Sequence, residues 1–182
     1  MELWDLYDEN RIKLGRTMVR GKKQPEGTHR IVVHACIFNS KGEMLIQQRQ
    51  PFKSGWSNMW DVTVGGSAVS GDTSQTALER ELCEELGINL SFQGMMPAIT
   101  INADGVFDDF YIAVRDDIDI STLKLQYSEV KEVKWASRND IIKMIEEGSF
   151  IPYHESFINL LFFMRTNFGV RTGDDTTVPS AQ

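Results

Sequence analysis

Along this chain the apolar residues fall into two rhythms. Residues 30–38 are almost wholly apolar, the pattern of a central strand covered on both faces. Asn39-Ser40-Lys41-Gly42 turns the chain back, and residues 43–50 then set Met44, Ile46 and Gln48 against Leu45, Gln47 and Arg49. That alternation predicts a second strand. A short strand is expected over 60–64, running into Gly65-Gly66, and further strands over 91–101, 106–114 and 129–135. Elsewhere the period lengthens to that of a helix. Leu78, Leu82, Cys83 and Leu86 make one side of a helix over 73–86, with Asp72 and Gln75 placed as its capping box. Two more helices are predicted, over 139–147 before Gly148 and over 153–167 before Gly169. Ahead of all this, residues 3–7 and 12–19 flank the polar turn Asp8-Glu9-Asn10 as a hairpin. The expectation is an α+β fold with a mixed sheet between helices. The hairpin occupies 1–29, the main domain 30–169, and 170–182 form a flexible polar tail.

Composition narrows the class. With 41% hydrophobic and 25% charged residues, the 182-residue chain can bury a core. No apolar run approaches the ~18 residues of a membrane span, and the acidic, aromatic start MELWDLYDEN is not a secretory signal. Cys36 and Cys83 lack metal-ligand spacing and sit in apolar patterns, so they read as free, buried thiols of a reducing cytoplasm. A net charge of −7 argues against binding nucleic-acid polymers. The charge is uneven, however. Residues 11–30 carry Arg11, Lys13, Arg16, Arg20, Lys22, Lys23 and Arg30 against Glu26 alone. That basic arm is either a solvated hairpin face or a contact for an anionic substrate.

The most informative stretch is Arg80-Glu81-Leu82-Cys83-Glu84-Glu85-Leu86-Gly87-Ile88. At roughly 100° per residue, Glu81, Glu84 and Glu85 share one patch of a helix about a turn long. Such carboxylates repel one another, and a hard divalent cation among them removes that cost. Gly65-Gly66 before the helix and Gly87 after it make this a loop–helix–loop with fixed punctuation.

This segment resembles the signature of the Nudix hydrolases, G-x5-E-x7-R-E-U-x-E-E-x-G-U with U aliphatic. Gly66, Arg80, Glu81, Leu82, Glu84, Glu85, Gly87 and Ile88 fall on its slots without a gap, and Asp72 stands where the pattern has Glu. The resemblance implies an α/β/α sandwich and metal-dependent attack of water on a diphosphate linkage. Glu81, Glu84 and Glu85 are then the expected ligands of Mg²⁺ or Mn²⁺, with the Gly66 carbonyl as a further one. Glu81 doubles as a base for water, and Arg80 orients the carboxylates by ion pairing. Catalytic roles thus fall on Glu81, Arg80 and Glu84. The partner is a small-molecule diphosphate, and a homodimer formed through the hairpin is a further expectation.

Other residues carry weaker signals. Asp108 and Asp109 read as solvent-facing strand acids or as an additional ligand. His29, His34 and His154 show no ligand spacing. Phe52, Trp56 and Trp60 read as core, or as a surface for an apolar or planar group. A second resemblance, to type I isopentenyl-diphosphate isomerases, runs from the hairpin through GWSNMWDVTVGG. Gly65 falls where those enzymes need a Cys, and Arg30 where they have a histidine ligand. A sensor that binds a diphosphate without turnover is the third reading, and it would be expected to lose the motif carboxylates.

Overall fold

The computed structural model describes residues 2–167 and 169; the predicted tail over 170–182 lies outside them. β1 (Leu3–Tyr7) and β2 (Lys13–Val19) form the expected antiparallel hairpin as a sheet of their own. A seven-stranded mixed sheet makes the body. At its centre β3 (Arg30–Phe38) runs parallel to β8 (Val106–Val114) along its whole length. On the other side β3 pairs with β4 (Met44–Arg49) and β6 (Val64–Ser67), both antiparallel. β4 also carries β5 (Trp60–Asp61) and β9 (Val130–Ala136), and β7 (Ile99–Ala103) closes the far edge on β8.

Both faces of β3 are covered, as its apolar run requires. Ile31, Val33, Ala35 and Ile37 enter one core with Leu78, Leu82 and Leu86 of α1 (Ser74–Leu86). Cys36 and Phe38 enter a second core with residues of α2 (Arg138–Glu146) and α3 (Glu155–Met164). The result is an α/β/α sandwich, as the sequence leads one to expect.

Several details differ from the sequence reading. The predicted strand over 60–64 is two strands, because the chain leaves β4 and crosses to β3 between them. The Thr63 hydroxyl holds the crossing, donating to the Leu45 carbonyl at 2.6 Å and accepting from Ile37 N–H at 2.9 Å. The strand expected over 91–101 begins only at Ile99, since Gly94 turns at φ 80° and Pro97 has no N–H to give a ladder. Cys83 is exposed rather than part of the buried side of α1; Cys36 is buried.

The helix cap also moves by one residue. Thr73, not Asp72, is the N-cap, and its box partner is Thr76 rather than Gln75. The Thr73 side chain accepts from Thr76 N–H at 3.1 Å, while the Thr76 hydroxyl accepts from Thr73 N–H at 2.9 Å. Thr73→Ala should therefore cost about 1 kcal/mol of stability, measured by chemical denaturation. Asp72→Ala should leave this cap in place.

Asp109 overturns the expectation of a solvent-facing acid. It is fully buried and takes both arms of the Arg11 guanidinium, the Ser74 hydroxyl at the start of α1, and the Thr100 hydroxyl at 2.7 Å. A buried carboxylate needs such partners. Arg11 comes from the hairpin turn, so this joint ties hairpin, sheet and helix together. A second tie is Asp5, which pairs with Lys13 and accepts from Gly71 N–H at 2.8 Å, just ahead of α1.

Candidate active site

Arg30, Val32 and His34 alternate on one face of β3 and remain only half-buried. The ladder sets Val32 opposite Ser67, Val33 opposite Gly66 and His34 opposite Gly65. This edge, the loop after β4 and the carboxylate face of α1 enclose a cleft of about 810 Å³. Gly66, Arg80, Glu81, Glu84 and Glu85 all line it, so the helix patch and the glycine strand share one space.

Glycine at 66 is a steric requirement. A Cβ there would lie 2.2 Å from Glu81 Cδ and 2.3 Å from its Oε1. The bare backbone lets the Glu81 carboxylate approach the strand. At Gly65 a Cβ would instead meet His34 Nδ1 at 2.7 Å. His34 stacks on Phe110, with ring centroids 4.4 Å apart, and its Nε2 lies 2.9 Å from Asp108 Oδ1.

Arg80 gathers the carboxylates around it. One guanidinium nitrogen lies 2.9 Å from Glu81 Oε1 and 3.4 Å from Glu84 Oε2. The other donates to Asp72 Oδ2 and to the Ser67 carbonyl, each at 3.1 Å. Asp72 thus sits outside the helix cap as a counterion of Arg80. Its replacement by Ala should lower activity roughly tenfold by loosening a group that orients the carboxylates, while thermal unfolding shows α1 still capped.

Glu85 is the buried member of the set, only 5% exposed. Among the described residues its carboxylate accepts one hydrogen bond, from Gln47 Nε2 on β4, at 3.0 Å. Burial, reinforced by the nearby charges of Glu81 and Glu129, pushes its carboxyl up to about 8. Burial also raises Glu81, against the pull of Arg80. Gln47 Oε1, beside Glu85, is buried without a hydrogen-bond partner. Arg80 draws Glu81 and Glu84 one way and Gln47 draws Glu85 another. Among the described residues no three His, Cys, Asp or Glu side chains are gathered into a ready cation cage. The residues nonetheless fit an oxygen-ligated divalent cation. A buried carboxylate lacking a countercharge, a second beside it, and a glycine backbone left clear against Glu81 are the donors such an ion takes.

The basic arm divides in two. Arg11 and Lys13 are spent on Asp109 and Asp5, whereas Arg20 and Arg30 reach the cleft. Trp56 also lines it, half-exposed, and together with Asn58 is held at positive φ, 51° and 59°. Positive φ is uncommon in a bulky residue such as Trp56 and costs free energy that its surroundings must offset. Trp60 is core, whereas Phe52 is exposed and packs on Tyr127. Asp61 is a site residue that sequence reasoning missed. It is buried at the cleft floor, accepts from the Tyr153 hydroxyl at 3.1 Å, and burial pushes its carboxyl up. Gln47 was missed too, although a polar Gln47-Gln48-Arg49 ending on an apolar strand was a usable signal.

Comparison with known proteins gives a consistent result. The NUDIX domain description matches residues 28–158. An uncharacterised Nudix hydrolase of Listeria monocytogenes is 42% identical over 165 residues, which span 91% of this chain and 96% of that one. The crystal structure of a Deinococcus radiodurans protein superposes with a TM-score of 0.69 at 25% identity, covering 88% of this chain and 97% of the other. An isopentenyl-diphosphate Delta-isomerase of Shigella flexneri is 25% identical over 114 residues, 60% of this chain and 63% of that enzyme. Among the described residues no helix is long and apolar enough to cross a membrane. With its sandwich, its glycine strand against a carboxylate helix and these relatives, the chain belongs to the Nudix hydrolase family.

Proposed function

We propose that the protein hydrolyses a diphosphate linkage in a small molecule, a nucleoside diphosphate joined to a second moiety, with Mg²⁺ or Mn²⁺ as cofactor. The supporting observation is the close approach of Glu81 to the bare Gly66 backbone, beside the buried Glu85. Glu81, Glu84, Glu85 and the Gly66 carbonyl would hold the cation. When bound, such an ion offsets phosphate charge and makes water a better nucleophile. Glu81, raised by burial and lowered by Arg80, would accept the proton of the attacking water. Arg80 would keep Glu81 and Glu84 aimed at the cleft through its four-way grip. Products would be the second moiety carrying a phosphate and a second phosphate-bearing fragment. Two free cysteines fit a cytoplasmic setting.

The isomerase reading is weaker on one observation. Position 65 is glycine, and the space a side chain would need there belongs to the His34 ring. No thiol stands at that point to move a proton.

The deciding experiment measures phosphate release from nucleoside, sugar, dinucleoside and isopentenyl diphosphates, with Mg²⁺ and then with excess chelator. Metal-dependent cleavage of one group is expected. Double-bond migration in isopentenyl diphosphate without cleavage, followed by NMR, would transfer the assignment to the isomerase. Binding of a diphosphate with neither reaction would leave a sensor.

A further inference from the structure

We propose that Arg30, held by Trp4 of the N-terminal hairpin, is the protein's own binding site for the phosphate oxygens of the substrate. This rests on the diphosphate reading above but names a residue outside the motif.

Arg20, Arg30, Arg49, Lys53 and Arg80 all line the cleft. Arg20 is paired with Glu2, Lys53 with Glu129, and Arg80 with Asp72, Glu81 and Glu84. Arg49 is half-buried and in no ion pair among the described residues, but it donates its Nε to the Gly55 carbonyl at 3.1 Å. Arg30 is likewise partly buried with no ion pair among the described residues, and it is set apart by its seat over the Trp4 ring. Asp108, the acid whose charge it feels most, already lies against His34 Nε2. A charge taken out of water without a partner is costly, and burial accordingly lowers the pKa of this guanidinium.

The group is also fixed in place. Its guanidinium lies over the Trp4 ring, 4.5 Å from the centroid, and one nitrogen donates to Ser67 Oγ at 2.9 Å. Trp4 is itself anchored, its indole N–H donating to Glu2 Oε1 at 2.8 Å while Glu2 Oε2 accepts from Arg20 at 2.8 Å. One guanidinium hydrogen bond to protein among the described residues leaves the rest of the five-donor fork available, and that fork matches a phosphate edge. Ser67 follows Gly66 directly, so Arg30 is tethered next to the strand that faces Glu81. An anion bound there would give Arg30 the partner it lacks, beside the α1 carboxylates proposed to hold the cation. On this reading the hairpin is a wall of the substrate site, and it reaches the cleft through the Glu2–Trp4–Arg20 cluster.

The test titrates methylenediphosphonate, a diphosphate analogue with a carbon bridge that resists hydrolysis, into protein containing Mg²⁺. It compares the native chain with Arg30→Gln, Arg30→Lys, Trp4→Leu and Trp4→Phe, and measures KM and kcat for the cleaved substrate alongside. Arg30→Gln should weaken binding about tenfold or more, with KM affected more than kcat. Arg30→Lys should recover part of the loss by restoring charge without the fork. Trp4→Leu should weaken binding less than Arg30→Gln, and Trp4→Phe should restore it, because a ring is kept under the guanidinium. Thermal unfolding of each variant separates these effects from loss of fold. If Arg30→Gln and Arg30→Lys bind the analogue within twofold of the native chain while metal-dependent hydrolysis is intact, the Arg30 site is wrong and the hydrolase reading stands. If binding depends on Arg30 but no diphosphate is cleaved, the hydrolase reading falls and the anion site survives. Absence of binding to the native chain overturns the Arg30 site outright.

Discussion

Glu85→Gln should lower kcat/KM by at least about a hundredfold, equivalent to about 2.7 kcal/mol of barrier, without unfolding the protein. Gln keeps the shape and the acceptor that Gln47 uses, and it adds an N–H₂ that can face the orphaned Gln47 Oε1. Only the negative charge is lost. The same variant carries a stability signature. In the metal-free protein Glu85 titrates near 8, well above an ordinary carboxyl, because it is buried. The folded state therefore holds its proton over a range where the unfolded chain has released it. Between about pH 4.5 and pH 8 the native fold should lose stability as pH rises, and the loss should level off above that. Glu85→Gln should flatten this slope and be the more stable protein at pH 9 in chelator. Denaturant midpoints across that range, paired with initial rates in Mg²⁺, check both halves. A variant that kept its rate would remove Glu85 from the cation site.

Gly66→Ala should reduce activity on the order of a hundredfold with a small change in unfolding temperature. The new methyl would collide with the end of the Glu81 side chain, which is flexible and can swing aside, so the fold survives. The carboxylate does not keep its place, and a displacement of about 1 Å at a reacting group costs on that scale. Gly65→Ala is the matched control, since its methyl meets the His34 ring instead. If Gly66→Ala turned over normally, the approach of Glu81 to the strand would have no part in the chemistry. If both alanines were equally damaging, crowding of the loop would be the common cause.

Much of this was visible in the chain because the elements have strong periods. The apolar run of β3, the alternation of β4 and the punctuated acidic helix each follow from local spacing. What escaped was set by partners distant in sequence. The run over 60–64 carries no mark of the crossing that Thr63 secures between Leu45 and Ile37. Asp109 looks like any strand acid until Arg11, ninety-eight residues earlier, closes on it. Asp72 and Thr73 are both good caps by type, and only the backbone decides between them. The carboxylate patch was legible because a helix repeats. Of the cleft cations, Arg20 and Arg30 were legible only within an excess of charge over residues 11–30, since pairing sorts those that are spent from those that are not.

The joint at Asp109 bears on where this protein begins as a physical object. The NUDIX domain description starts at residue 28, which invites the view that earlier residues are an optional attachment. Yet a carboxylate sealed in the interior of the sheet is neutralised by an arginine from that earlier segment, and the same carboxylate receives the first hydroxyl of α1. The described domain and the unit that coheres through this joint therefore have different borders. The smallest piece that balances the charge at Asp109 includes the hairpin, and removing that leading segment would leave a buried carboxylate without its cation.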